Sequence, residues 1–423
     1  MQQIGLPQTT RSAGPFSDRR TLGIVLAGFC TFLDLYTTQA LLPLFRTVFH
    51  ASEVAVSLTV SATTLAVAFS APIVGLVADR MGRKRVIVAA TFALAVPTLL
   101  AATSTSLTAL VFWRFVQGIF LPGIFSVSMA YIAEEYGPTG GAGKAMSAYI
   151  TGNVVGGFMG RFLSGLFATH LGWRWAFVLI GLLNLLGAVA VARLLPLAKN
   201  FVPVTSWRTS IASFGLHLRN KQLLATYAVG FNVLFAQVAT FTYVCFYLAA
   251  KPFGLSAAAL GSLFFVYLLG VFITPLSGRA IDRWGYRRVL VGGVTASCVG
   301  ILIALSHILW VEIVALAISS SGVFISQVAG SSHVGAVAKT ARSSASGLYV
   351  MCYYLGGSFG GVVPGYLWAT GGWPACVALI VFVQLVTVSL ALAFWADKPQ
   401  PKAVLSEDDA VVLATEEGET RIL

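Results

Sequence analysis

The chain has 423 residues, of which 57% are hydrophobic and only 10% charged, with a formal net charge of +12. Soluble globular domains carry roughly one-quarter charged residues, so this composition excludes a soluble domain and places the chain in a lipid bilayer. The surplus of positive charge is not a nucleic-acid signature, because nowhere are basic residues interleaved along a polar helix.

Taken in chain order, a tail at 1–20 leads into apolar runs at 22–43, 54–77, 86–105, 107–133, 145–169 and 174–195. Each is long enough to cross a hydrocarbon core as a helix. The first run suits an uncleaved anchor better than a signal peptide, whose apolar core is shorter. A polar, basic connection at 197–222 follows. Six more runs occupy 223–249, 256–277, 289–309, 310–336, 344–368 and 374–396, and an acidic tail at 397–423 reads as disordered. The expected fold is therefore an all-α membrane protein of twelve spans, divided into halves at 21–196 and 223–396.

Residues 75–85 (GLVADRMGRKR) reappear in outline at 278–288 (GRAIDRWGYRR), 203 residues later. Residues 144–173 echo 344–373 at a constant offset of 200: Tyr149 with Tyr349, Gly156 with Gly356, Gly160 with Gly360, Trp173 with Trp373. Such periodicity means an internal duplication, and parallel halves place a substrate site between them near the membrane midplane. Twenty-two of the 27 Lys and Arg lie in the tails or in alternate loops, against Arg46, Arg174 and Lys251 in the opposite loops. By the positive-inside rule, both termini and both repeated blocks are expected in the cytoplasm.

Three ionisable residues stand inside apolar runs away from any loop: Asp34, Arg114 and Arg161. A charge in hydrocarbon is costly, so each is a functional candidate expected to face a shared water-filled cavity. Asp34 lies on a polar stripe with Thr31, Thr37 and Thr38 at helical spacing. Burial opposes its charge and a nearby arginine favours it, so it can either load and release a proton or sit in a fixed ion pair. One acid and two bases also hint at an anionic or zwitterionic cargo. Further candidates for the cavity wall are Gln117, Asn153, Asn232, Gln237, Tyr243, Tyr267, Gln327, Tyr349 and Tyr353.

Two apparent motifs fail. Residues 137–145 (GPTGGAGKA) have Pro138 where a phosphate loop needs glycine and Ala145 where it needs Ser or Thr, so no ATP is implied. Residues 356–360 satisfy G-x-S-x-G, but in mid-helix without the strand-to-helix turn. The five histidines lack ligand spacing and the five cysteines all lie in apolar runs, so neither a metal nor a disulfide framework is expected.

The block G-x3-D-R-x-G-R-[KR]-R resembles the hallmark loop of the major facilitator superfamily. Residues 148–165 and 344–365 are similar to its bacterial YnfM-like branch of efflux permeases. The resemblance implies alternating access in a bacterial cytoplasmic membrane, with a small-molecule cargo, protons as coupling ion, no cofactor, and a monomer. It implies a gating loop of Gly75, Asp79, Arg80, Gly82, Arg83, Asp282 and Arg283, in which Asp79 caps a helix of the other half. Arg114 falls in an R-x-x-x-G run similar to that of proton-coupled members, with Asp34 as proton carrier. In the antiporter pattern span five carries a proline where Gly157 stands, so import or uniport is the alternative to efflux; a non-transporting sensor is a third reading.

Overall fold

A computed structural model describes residues 19–137, 141–198, 217–338 and 342–395. The acidic tail, most of the 197–222 connection and Lys339 lie outside the described residues. No strand occurs among those described.

The N-terminal half comprises α1 (Arg19–Leu35), a 3-10 turn at Gln39–Leu41, α2 (Leu42–Val48), α3 (Glu53–Met81), α4 (Arg83–Ala101), α5 (Leu107–Tyr136), α6 (Ala142–His170) and α7 (Trp173–Leu194). The C-terminal half comprises α8 (Lys221–Ala249), α9 (Ala257–Leu263), a 3-10 segment at Phe264–Leu268, α10 (Leu269–Trp284), α11 (Tyr286–Ile303), α12 (Leu309–Val337) and α13 (Arg342–Phe394). Ten helical stretches among the described residues are long and apolar enough to cross a membrane. One of them, α13, has 53 residues, on the order of 80 Å of helix, far more than one crossing needs. Gly372 breaks it with φ 59° and ψ −148°, giving two arms. Counting these arms and adding the 29-residue α6 accommodates the twelve expected runs.

Local chemistry sets the ends. Ser52, Ser106 and Ser256 accept hydrogen bonds from the backbone N–H three residues on, and Asn220 caps α8 likewise. The repeated loops both turn on a left-handed glycine, Gly82 at φ 87° and Gly285 at φ 83°, a conformation that penalises a Cβ.

Without a hydrophobic drive between helices in lipid, small residues set the packing. A Cβ on Gly152, Gly156 or Gly160 of α6 would collide with the backbone carbonyls of Val25, Phe29 and Leu33 on α1. Gly356 and Gly360 in the first arm of α13 meet the carbonyls of Phe231 and Phe235 on α8 in the same way.

The halves join at one end. Ser358 Oγ donates to the Ser61 carbonyl at 3.0 Å, Gln39 Nε2 to Thr242 Oγ1 at 3.1 Å, and the Ala258 N–H to Thr169 Oγ1 at 3.0 Å. Gly361 lies against the Ser61 side chain, and Gly165 against the Ala257 carbonyl. Towards the other end, which carries the repeated loops, the halves part around a cavity.

Candidate functional site: a central cavity and a buried carboxylate

The cavity has a volume of about 430 Å³ and is walled by both halves. Its deep end is formed by Gln39 and Arg161, and its mouth by Met146, Ser331 and Ser346. Met146 and Arg161 are fifteen residues apart on one helix, so the cavity runs roughly 20 Å along the bundle. Six tyrosines line it, including the stacked pair Tyr349 and Tyr353 with ring centroids 6.0 Å apart. Of the residues expected on the wall, Asn153, Arg161, Gln237, Tyr267, Gln327, Tyr349 and Tyr353 line it.

The others do not. Tyr243 is buried near the closed end, donating to the Gly361 carbonyl at 2.8 Å, and Asn232 is half-buried on α8 away from the cavity. Asp34, Thr38, Arg114 and Gln117 are wholly buried behind the wall, inside the N-terminal half. The expected polar stripe faces no water: Thr31 and Thr37 fold their hydroxyls onto the carbonyls of Ala27 and Leu33 in their own helix. A hydroxyl within reach of a carbonyl one turn back needs no solvent.

Asp34 and Arg114 do not form the ion pair that adjacency in hydrocarbon suggested. Arg114 instead caps a broken helix. Its Nη1 and Nη2 donate to the carbonyls of Asp34 at 2.9 Å and Leu35 at 2.6 Å, and its Nε to the Thr59 carbonyl at 3.0 Å. The first two are the acceptors freed where α1 stops, and a cation at a helix C-terminus is further favoured by the dipole. Gln117 joins this group to the carboxylate, accepting from Arg114 at 2.5 Å and donating to Thr98 Oγ1 at 2.9 Å. Thr98 is 3.1 Å and 3.2 Å from the two Asp34 oxygens, and Asn184 Nδ2 donates to Oδ2. The carboxylate is thus held by neutral groups alone. Asn184 Oδ1 beside it is buried without a partner.

Arg161 is 3% exposed and, among the described residues, has no carboxylate within ion-pair range. Its guanidinium carbon lies 4.6 Å from the ring centroids of Tyr36 and Phe264 and 4.9 Å from that of Tyr267. Nε donates to Gln39 Oε1 at 2.9 Å and Nη1 to the Gly157 carbonyl at 2.5 Å.

The loop between α3 and α4 is built as an ion-pair cluster. Arg83 bonds Asp79 at 2.6 Å and Glu134, at the end of α5, at 2.7 Å. Among the described residues Asp79 pairs with Arg83 and caps no helix of the other half. Gly75 has open space where a Cβ would stand. Arg80, Asp282 and Arg283 are exposed, and in the second copy Tyr286 packs on His333 with ring centroids 5.5 Å apart.

Several partners escaped sequence reading: Thr98, Asn184, Gln39, Tyr36, Phe264 and Glu134. Asn184 had a signal, being a lone amide in an apolar span. So did Glu312, an acid in the first turn of α12, fully buried with neither oxygen partnered.

The Major Facilitator Superfamily model matches residues 24–272 and 246–417, which together cover nearly the whole chain. The chain belongs to the Major Facilitator Superfamily. It is a multi-pass membrane protein and a secondary transporter rather than an enzyme. Its relatives include the inner membrane transport protein YnfM of Escherichia coli, 33% identical over 92% of this chain and 93% of that one. The MFS-type transporter YybF of Bacillus subtilis is 34% identical over 90% of this chain and 94% of that one. In fold the transporter is similar to the nucleoside transporter NupG, with a TM-score of 0.74 at 16% identity, covering 89% of this chain and all of that one. A bacterial homologue of the human lysosomal transporter Spinster, solved inward-facing and unoccupied, gives 0.73 at 16% identity, covering 91% of this chain and all of that one.

Proposed function

We propose that the transporter exports a small amphipathic molecule across a bacterial cytoplasmic membrane in exchange for protons, with Asp34 as the proton carrier. The observation that carries this reading is the neutral setting of the Asp34 carboxylate. No cation is bonded directly to it, Arg114 being held on the backbone carbonyls beside it, so both protonation states can be occupied in turn. A ready acceptor stands beside it: the orphan Asn184 Oδ1, which an amide rotation brings towards a protonated Asp34.

The carboxylate is tied to the cavity through a few residues. Arg114 holds the carbonyls of Asp34 and Leu35, and the turn that follows leads to Gln39, which holds Arg161. Protonation that reshapes this turn changes the floor of the cavity, and cargo at the floor biases the turn in return. The repeated loops and both termini face the cytoplasm in this reading, so the cavity is open inward. The Arg83 cluster holds the cytoplasmic ends of α3, α4 and α5 together while Asp79 awaits closure.

Energised everted membrane vesicles test it with fluorescent amphipathic dyes of either charge. A lumen made acidic by respiration is expected to accumulate a dye, with accumulation abolished by a protonophore and by Asp34→Asn. Accumulation that survives both would sink the proton-carrier assignment. Uptake into right-side-out vesicles under an inward proton gradient would instead establish import.

A further inference from the structure

We propose that Arg161 is a cargo-binding anion site, so that the transporter carries amphipathic organic monoanions: an oxyanion head at Arg161 with an apolar body along the cavity. This names the cargo of the cavity read above as the transport site; it does not depend on the direction or the coupling ion.

Arg161 is the sole charged residue among those lining the cavity. A cation buried away from water is retained only when something compensates it, and no acid does so here. The aromatic rings of Tyr36, Phe264 and Tyr267 supply part of the compensation through their faces. They stabilise positive charge but carry no negative charge to neutralise it. Of the five N–H groups of an arginine, Gln39 and Gly157 take two. Three remain for a guest, at the deep end of a cavity wide enough to hold one.

A planar fork of N–H donors matches an oxyanion. Rings within 5 Å of the guanidinium carbon hold it in place while it waits. The body of the guest follows from the rest of the wall: tyrosines and aliphatic side chains, with three buried polar atoms left unpartnered, Asn153 Oδ1, Gln237 Oε1 and Tyr349 Oη. These would take polar substituents along an otherwise apolar ligand. Organic cations have no counter-charge anywhere on this wall and are repelled by Arg161.

The test is equilibrium binding to the purified full-length transporter without any gradient. It uses 2-naphthoate, with 2-naphthylmethylammonium and 2-naphthylmethanol as cationic and neutral counterparts of the same shape. The naphthoate is expected to bind and the other two to bind at least tenfold more weakly, the worth of one charge-assisted contact. Arg161→Gln should weaken naphthoate binding roughly 10- to 100-fold. Gln39→Glu places an internal carboxylate on Arg161 and should likewise exclude naphthoate while raising the melting temperature, a gain that a misfolded variant cannot show. Equal or tighter binding of the cation or the alcohol, or naphthoate binding unchanged in both variants, overturns the proposal, as does no binding by any of the three. Failure of proton coupling in vesicles would leave these binding results standing, so the two ideas fail separately.

Discussion

At the scale of single residues, the three buried charges of the N-terminal half divide the work in a way their sequence positions do not show. Asp34 is kept by amide and hydroxyl groups, Arg114 by backbone carbonyls, and Arg161 by aromatic faces. Arg114 acts on structure as well as charge, because it satisfies three buried carbonyls at once. Arg114→Met keeps length and apolar volume but removes those donors. Losing a hydrogen bond from a charged donor costs about 1.5–3 kcal/mol, and the Leu35 carbonyl has no second partner among the described residues to fall back on, so the purified variant is expected to melt well below the wild type by differential scanning fluorimetry. An unchanged melting temperature would mean that the break in the first span is held by something else.

At the scale of elements, the glycine ladder between α1 and α6 has its counterpart between α8 and the first arm of α13. The first ladder sets how closely the spans that carry Asp34 and Arg161 approach. Gly160→Val would drive a branched side chain into the Leu33 carbonyl and force the helices apart, at a cost of about 1–3 kcal/mol. Gly143→Ala, in the first turn of the same α6 with open space around it, is expected to stay within about 0.5 kcal/mol of wild type. Parallel melting curves of the two variants check the contrast, and equal effects would show that the ladder does not govern packing. The duplication is also unequal where the chemistry sits: at the offset of 200, Gly361 stands opposite Arg161, and Tyr286 replaces Arg83 at the offset of 203. The charged cavity residue belongs to one half, while both halves share the apolar aromatic wall.

At the scale of the whole molecule, the structure holds one of the states that alternating access requires. The halves touch at the end remote from the repeated loops, with α3 against the first arm of α13 and α6 against α9. Gly361 is a tight point of that closure, against the Ser61 side chain. Gly361→Trp cannot be accommodated there, so the closed end is expected to open and the loop-bearing end to close as the halves rock. Spin labels at positions 143 and 335, both exposed at the loop-bearing ends of α6 and α12, report this by double electron–electron resonance. The distance between them should shorten in the variant; an unchanged distribution would show that the two ends are not coupled.

The solvent, the twelve apolar runs, the duplication and the family were all legible in the amino-acid order. Each of these is written in composition or in spacing along one chain, because a bilayer admits a long helix only where the residues are apolar. The same order also singled out Asp34, Arg114 and Arg161, since a charge in hydrocarbon stands out against its neighbours. Only the tertiary structure decided what each of them touches. The partners Thr98, Gln117 and Asn184 of the carboxylate network lie 64, 83 and 150 residues from Asp34 along the chain. Gln39 lies 122 residues from Arg161, and the cage rings come from both halves. Which face of a helix meets a cavity, and which meets another helix, depends on how all the spans are turned against one another. That is a property of the packed bundle and not of any one span.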